Sequence, residues 1–203
     1  MSLSLDHIEL PLSTRIKAFY ELLKPRLSFL VVFSSGFGYL LANHTILSWT
    51  NFILFLLGGF FISGSSVIIN QIIEQDFDAM MTRTKNRPIP SGKVTIPEAI
   101  WFSVLTGILG LGLLFISTNP LTTGLSTLSL LLYAFVYTPL KRVGSIAVFV
   151  GAIPGALPPL IGWTAASGLI TYEALIIFGI QFIWQFPHFW AIAWVCDSDY
   201  KKA

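Results

Sequence analysis

Charge is scarce in this chain. Asp, Glu, Lys and Arg make up 11% of its 203 residues, against about 25% in an ordinary soluble domain. Hydrophobic residues make up 54%, and the mean hydropathy is +0.75. A soluble fold is excluded and a polytopic membrane protein is expected. A single cysteine, Cys196, excludes an internal disulfide and any cysteine-only metal site. No repeat and no low-complexity segment interrupts the chain. Its first stretch carries Asp6 and Glu9 and lacks the short apolar core and small-residue cleavage site of a secretory signal. No transit peptide is evident either, which favours a bacterial inner membrane over a mitochondrial one.

Six apolar stretches are long enough to span a bilayer, near 27–44, 51–73, 97–117, 120–138, 144–164 and 172–195. The expected fold is therefore an all-α, polytopic transmembrane helical bundle. It divides into an N-terminal cytoplasmic or interfacial segment, 1–26, and a transmembrane domain, 27–203. Pro25 suits a helix start. The charges then orient the bundle. All 12 Lys and Arg residues fall in the N-terminal segment, the 74–93 loop, the 139–143 turn and the C-terminal end. With six spans these four places share one side. The other connections, 44–50, 118–120 and 165–171, contain no Lys or Arg. By the positive-inside rule the N-terminus is cytoplasmic. The fifth span contains Pro154, Pro158 and Pro159, which predict a kink or break. Its small residues allow close helix contact, and a bend there would shape a cavity.

The most informative run is Asn70 to Gly92, NQIIEQDFDAMMTRTKNRPIPSG. Asn70, Glu74 and Asp78 recur at i, i+4 and i+8, which on a helix stacks a carboxamide and two carboxylates on one face, about 6 Å apart per step. Asp76 points elsewhere. Arg83, Lys85 and Arg87 follow at once, with Lys93 beyond them. Carboxylates that hold a hard divalent cation, beside cations that hold an anion, point to a metal–diphosphate site with Mg2+ as the fitting ion. A solvated helix end is the bland alternative.

Three further places carry possible chemistry. Lys141 and Arg142, after YTPL, reach the same face and serve equally well as topology signals. Asp197 and Asp199 close the sixth span on that side, either as a second carboxylate site or as a polar helix end. His188 lies inside the sixth span, where an ionisable residue is a functional candidate by default and a structural histidine nearly as good a reading. His7 and His44 lie outside the spans and look incidental.

These residues resemble the UbiA-type intramembrane prenyltransferases. Asn70-x3-Glu74-x3-Asp78 followed by MTRTKNRPIPSG is similar to that family's first acidic motif. The superfamily generally has Asp where this chain has Glu74. LLKPRLSFLVV at 22–32, YTPLKR at 137–142, GAIPGALPPLIGW at 151–163 and PHFWAIAW at 187–194 leading into DSDY are most similar to the protohaem IX farnesyltransferase branch. The resemblance runs from about residue 15 to the end. It implies nine spanning helices, so a chain with six is expected to be C-terminally incomplete. It implies farnesyl transfer from farnesyl diphosphate to a vinyl group of haem B, with water added, giving haem O. It also implies coupling to haem A synthesis or terminal-oxidase assembly. On that reading Asn70, Glu74, Asp78 and Asp199 hold Mg2+; Arg83, Lys85, Arg87 and Lys141 contact diphosphate; and His188 meets haem. No nucleic-acid partner is implied.

Rival readings remain at this stage. The same chemistry on an aromatic or quinone precursor would use the same acidic cluster. A transporter would instead place its carboxylates near the bilayer midplane, at broken helices. A haem-binding assembly factor would need no acidic motifs.

Overall fold

In the computed structural model the described residues are 11–43 and 46–200, the side chains of 198–200 excepted. Among them every regular element is helical. A short helix α1 (Leu12–Leu22) precedes α2 (Pro25–Ala42) and α3 (Trp49–Ile73). A single turn, α4 (Gln75–Met80), and a folded loop lead to α5 (Ile96–Ser117). Next come α6 (Pro120–Leu131), a π-helical turn (Leu132–Tyr137) and α7 (Thr138–Leu140), which together make one span, Pro120–Leu140. Two long helices, α8 (Ile146–Ser167) and α9 (Tyr172–Tyr200), complete the chain. Six helices are long and apolar enough to cross a membrane. Each begins and ends within a few residues of the stretches expected from hydropathy.

Local chemistry explains the boundaries. Pro25 occupies the first position of α2, where its missing N–H costs nothing. Thr95 caps α5 in a reciprocal capping box with Glu98, and Glu98 also pairs with Arg15 of α1. Asn119 caps α6 through Thr122 N–H and donates its amide to the Thr164 carbonyl of α8, 2.8 Å away. Thr122 then donates to the buried Thr164 hydroxyl at 3.1 Å. This polar seam fastens α6 to α8 at the end of the bundle opposite the acidic cluster.

The tightest packing pairs α3 with α5 and α2 with α8. Backbones touch directly in the second pair. A Cβ on Gly162 would lie 1.8 Å from the Ser35 carbonyl oxygen, and one on Gly38 would lie 2.2 Å from that of Pro159. One apolar core, around Tyr39, Phe55, Leu114, Leu157 and Trp163, fills the space between these helices. A second, of Leu22, Ile68, Ile89, Val94 and Ala99, fixes the 81–95 loop against α1, α3 and α5.

The prolines of α8 do not break it. The helix runs uninterrupted through Pro154, Pro158 and Pro159, contrary to the break that sequence alone allowed. Pro159 has no N–H for the carbonyl of Gly155 four residues earlier. Gln185 of α9, itself 8% exposed, supplies the donor instead, Nε2 to Gly155 O at 3.1 Å. A neighbouring helix thus satisfies the freed group, as membrane helices require.

Two predictions test this packing. Gln185→Leu should lower unfolding stability in micelles by about 1 kcal/mol, and by markedly less in a Pro159→Ala background, where residue 159 regains its own N–H; a double-mutant cycle measures the difference. Gly162→Ala should cost about 2 kcal/mol or more by forcing α2 and α8 apart, while Gly112→Ala, with open space around its Cβ, should stay within about 0.5 kcal/mol of the native protein.

Candidate active site

The acidic motif straddles a break, and here the expected single helical face needs correcting. α3 ends at Ile73, Glu74 is its C-cap (φ −96°, ψ 8°), and α4 restarts at Gln75. The cause is the neighbouring 138–142 segment. Arg142 donates from Nη2 to the Ile73 carbonyl at 2.9 Å and stacks its guanidinium 4.4 Å from the Phe77 ring centroid. Lys141 draws the Glu74 carboxylate to itself at 2.9 Å. The amides of Glu74 and Asp78 still bond to the carbonyls four residues back, so the three motif residues remain a turn apart.

Each motif side chain is held by a partner from elsewhere in the chain. Asn70 is 2% exposed; its Nδ2 donates to Glu74 Oε2 at 2.9 Å and to Thr138 Oγ1 at 3.1 Å. Asp78 is 3% exposed and pairs with Arg87 at 2.5 Å. The loop is shaped to permit this. Thr84 donates to the Asp78 carbonyl at 2.8 Å, and Ile89 and Val94 anchor its far half in the core. Asp76 is exposed, as expected.

Beside this cluster a cleft of about 280 Å³ is lined by Glu21, Lys24, Gln71, Arg83, Asn86, Arg87 and Pro88. Arg83 and Arg87 meet there. Lys85 is exposed and is not among the lining residues. Lys24 is the residue that sequence reading missed, having counted it only as a topology charge. It is a non-glycine residue in the left-handed region, φ 42°, a conformation uncommon enough to mark a constrained position. Gln71 secures the turn before it by donating to the Leu22 carbonyl at 2.8 Å. Burial holds the Lys24 ammonium well below the usual lysine range, at about 7; Arg87 and Lys141 push the same way, while Asp78 and Glu74 oppose them. A cation so placed is short of negative charge. The available signal was its position immediately before the helix-starting Pro25.

On the other flank, Lys141 Nζ lies 4.8 Å from the centroid of the Tyr137 ring, which packs against Phe189 of α9 at 5.7 Å. The remaining expected residues fall in several places. Arg142 is engaged by α3, as described. Lys93 is half-buried beyond the loop, and Asp197 is exposed on α9. His188 is exposed, its ring 6.0 Å from that of Phe189. The side chain of Asp199, and all of His7 and His44, lie outside the described residues. No group of three or more His, Cys, Asp or Glu side chains that could hold a metal is found among the described residues. The oxygen donors gathered here are two carboxylates and the carboxamide of Asn70. That set fits Mg2+, which typically takes one or two protein carboxylates and completes its shell with water and substrate phosphate. The carboxylates sit beyond the apolar end of α3 among cations, not at a midplane helix break, which tells against ion-coupled transport.

Comparison with known proteins agrees with this geometry. The model of the UbiA prenyltransferase family matches residues 31–203. A protoheme IX farnesyltransferase of Cytophaga hutchinsonii is 50% identical over 95% of this chain, and one of Flavobacterium psychrophilum 47% identical over 95%. A mitochondrial protoheme IX farnesyltransferase of Arabidopsis thaliana is 43% identical over 91% of the chain, which spans 43% of that protein. The chain spans about two thirds of the bacterial relatives' length, 67% and 64%. Among solved structures, a digeranylgeranylglyceryl phosphate synthase superposes with TM-score 0.77 at 21% identity, over 93% of this chain and 66% of that one. A UbiA homologue from Archaeoglobus fulgidus bound to GPP and Mg2+ superposes with TM-score 0.73 at 17% identity, over 91% and 66%. A family match that runs from Val31 to the last residue, on a bundle shared with two such distant structures, makes this chain a member of the UbiA prenyltransferase family.

Proposed function

We propose that the protein transfers a farnesyl group from farnesyl diphosphate to a vinyl group of haem B, at a site on the cytoplasmic face of the bundle. The observation that carries this reading is the meeting, at one end of the fold, of three oxygen donors (Asn70, Glu74, Asp78) with cations from three separate segments: Lys24, Arg83 and Arg87, and Lys141. Identity of 50% to a protoheme IX farnesyltransferase supports the choice of acceptor and prenyl donor.

In this mechanism the allylic C–O bond breaks and its electron pair leaves on the diphosphate. Lys24, Arg83, Arg87 and Lys141 stabilise that growing negative charge from fixed positions, which is where preorganised electrostatics contribute most. Asn70, Glu74 and Asp78 would hold Mg2+, which when bound supplies neutralisation of the leaving group. The aromatic faces of Tyr137 and Phe189, beside Lys141, would stabilise an allylic cation formed next to them. The apolar span walls keep stray water from it. The vinyl π electrons then close the new C–C bond, and water adds to the resulting cation with loss of a proton, giving the hydroxyethylfarnesyl side chain.

The test uses membranes containing the protein expressed from its complete reading frame, supplied with farnesyl diphosphate, haem B and Mg2+, with extracted haem read by mass spectrometry. Farnesylated haem should form, fall about 100-fold or more in Asp78→Asn, and vanish on chelation of Mg2+. Prenylation of an aromatic acceptor with haem left untouched would keep the chemistry and overturn the acceptor. Lys24→Met should raise KM for farnesyl diphosphate about tenfold or more, with a smaller effect on KM for haem, as expected for loss of a charged diphosphate contact; steady-state kinetics at fixed Mg2+ measure both.

A further inference from the structure

Thr138 is buried to 0% exposure and lies within the YTPLKR run, where the charged Lys141 and Arg142 draw the attention and the threonine has no assigned part. It follows directly on the π-helical turn Leu132–Tyr137, a feature that is rare and frequently found at functional sites. The backbone N–H of Thr138 bonds to the Tyr133 carbonyl five residues back. Its hydroxyl donates to the same carbonyl at 2.8 Å. A hydroxyl has one proton to give, so towards Asn70 Oγ1 of Thr138 acts only as an acceptor. Glu74, whose carboxylate pairs with the Lys141 ammonium, serves as an acceptor there as well.

Both polar neighbours of the Asn70 carboxamide therefore demand its NH2 group, which donates to both. Turning the amide over would set oxygen against oxygen twice inside a buried site. The orientation of Asn70 is thus fixed by the chemistry of its partners: Nδ2 faces Thr138 and Glu74, and Oδ1 is turned away from them. The π turn is what makes this possible. Relative to an α-helical register it inserts one extra residue, rotating everything after it by about 100°, and so directs Thr138 at α3.

We infer that Thr138 is a positioning residue that locks the Asn70 carboxamide with its oxygen, not its nitrogen, presented to the divalent cation. The inference rests on the metal–diphosphate reading above. Without the Thr138 hydroxyl, only Glu74 would orient the amide, and the amide nitrogen, which cannot ligate a hard cation, would compete for the ligand position.

The test is Mn2+ binding by detergent-solubilised full-length protein in the presence of an unreactive thiolo analogue of farnesyl diphosphate, with free Mn2+ counted by its EPR signal. Thr138→Val keeps the shape and removes the hydroxyl; Thr138→Ser keeps the hydroxyl. Valine should weaken Mn2+ binding about tenfold or more, in the range seen for partners that orient metal ligands, and serine should restore it to within about twofold of the native protein. Where valine does not accumulate, Thr138→Ala serves in its place. Equal loss in the valine and serine variants would mean that Thr138 acts by packing, and native affinity in the valine variant would mean that it does not position Asn70; either overturns the inference. Asp78→Asn runs alongside. If it abolishes Mn2+ binding while valine leaves it intact, the Thr138 inference alone fails; if Asp78→Asn leaves binding unchanged, the metal reading fails and takes the inference with it.

Discussion

The pairing of Asp78 with Arg87 is the contact around which this end of the bundle is organised. A carboxylate 3% exposed at the edge of an apolar bundle is tolerable only with a partner. The nearest cation in sequence that reaches it lies nine residues on, so the loop has to double back. Everything local follows from that return: Thr84 bonds to the Asp78 carbonyl, Ile89 and Val94 enter the core, and the cleft opens between Lys24, Arg83 and Arg87. Glu74 imposes the same constraint from the other flank. Its pairing with Lys141 ties the end of α3 to α7, and Arg142 secures the join by capping Ile73. Two carboxylates thereby bring one neighbouring and one distant basic segment to one place.

α8 sets the frame in which those segments meet. It packs on α2, α6 and α9, and its contacts work by removing side-chain bulk or backbone donors. Gly162 and Gly38 let α8 and α2 touch at their carbonyls. Pro159 frees the Gly155 carbonyl, which Gln185 then claims from α9. Gly151 leaves room for the Tyr137 ring, which would lie 2.5 Å from a Cβ at that position. The sequence that promised a bend thus builds a close-packed wall instead, and that wall holds Tyr137 and Phe189 beside Lys141.

The spans were legible because hydropathy and the one-sided distribution of Lys and Arg are additive signals that need no partner. The acidic motif was legible for a similar reason, since its four-residue spacing is local. What was not legible depends on tertiary approach. The break at Glu74 is imposed by Lys141 and Arg142, 67 and 69 residues away from their partners. Lys24 becomes part of the cleft only because α1 and α2 turn at it, and Thr138 becomes significant only through a π turn that hydropathy cannot register. Lys85 and His188 are exposed among the described residues, and their expected contacts with diphosphate and haem are not decided by that exposure. Adjacency in sequence on a loop or a long helix says little about which way a side chain faces.

On the proposed mechanism, the two ion pairs also supply the groups that a metal and a diphosphate would engage. Each carboxylate is balanced by a basic side chain, Asp78 by Arg87 and Glu74 by Lys141. Arrival of a divalent cation with an organic diphosphate would offer each group a new partner of opposite charge: carboxylates could turn to the cation, and guanidinium and ammonium groups to the diphosphate. Through the exchange the two carboxylates and the two basic side chains would each keep a partner of opposite sign. Lys24 is the group that this exchange favours most. Burial, with Arg87 and Lys141, depresses its pKa to about 7, and an anion in the cleft would raise it again. A diphosphate in the cleft would bring Lys24 the negative charge that offsets its burial, and binding would gain by it.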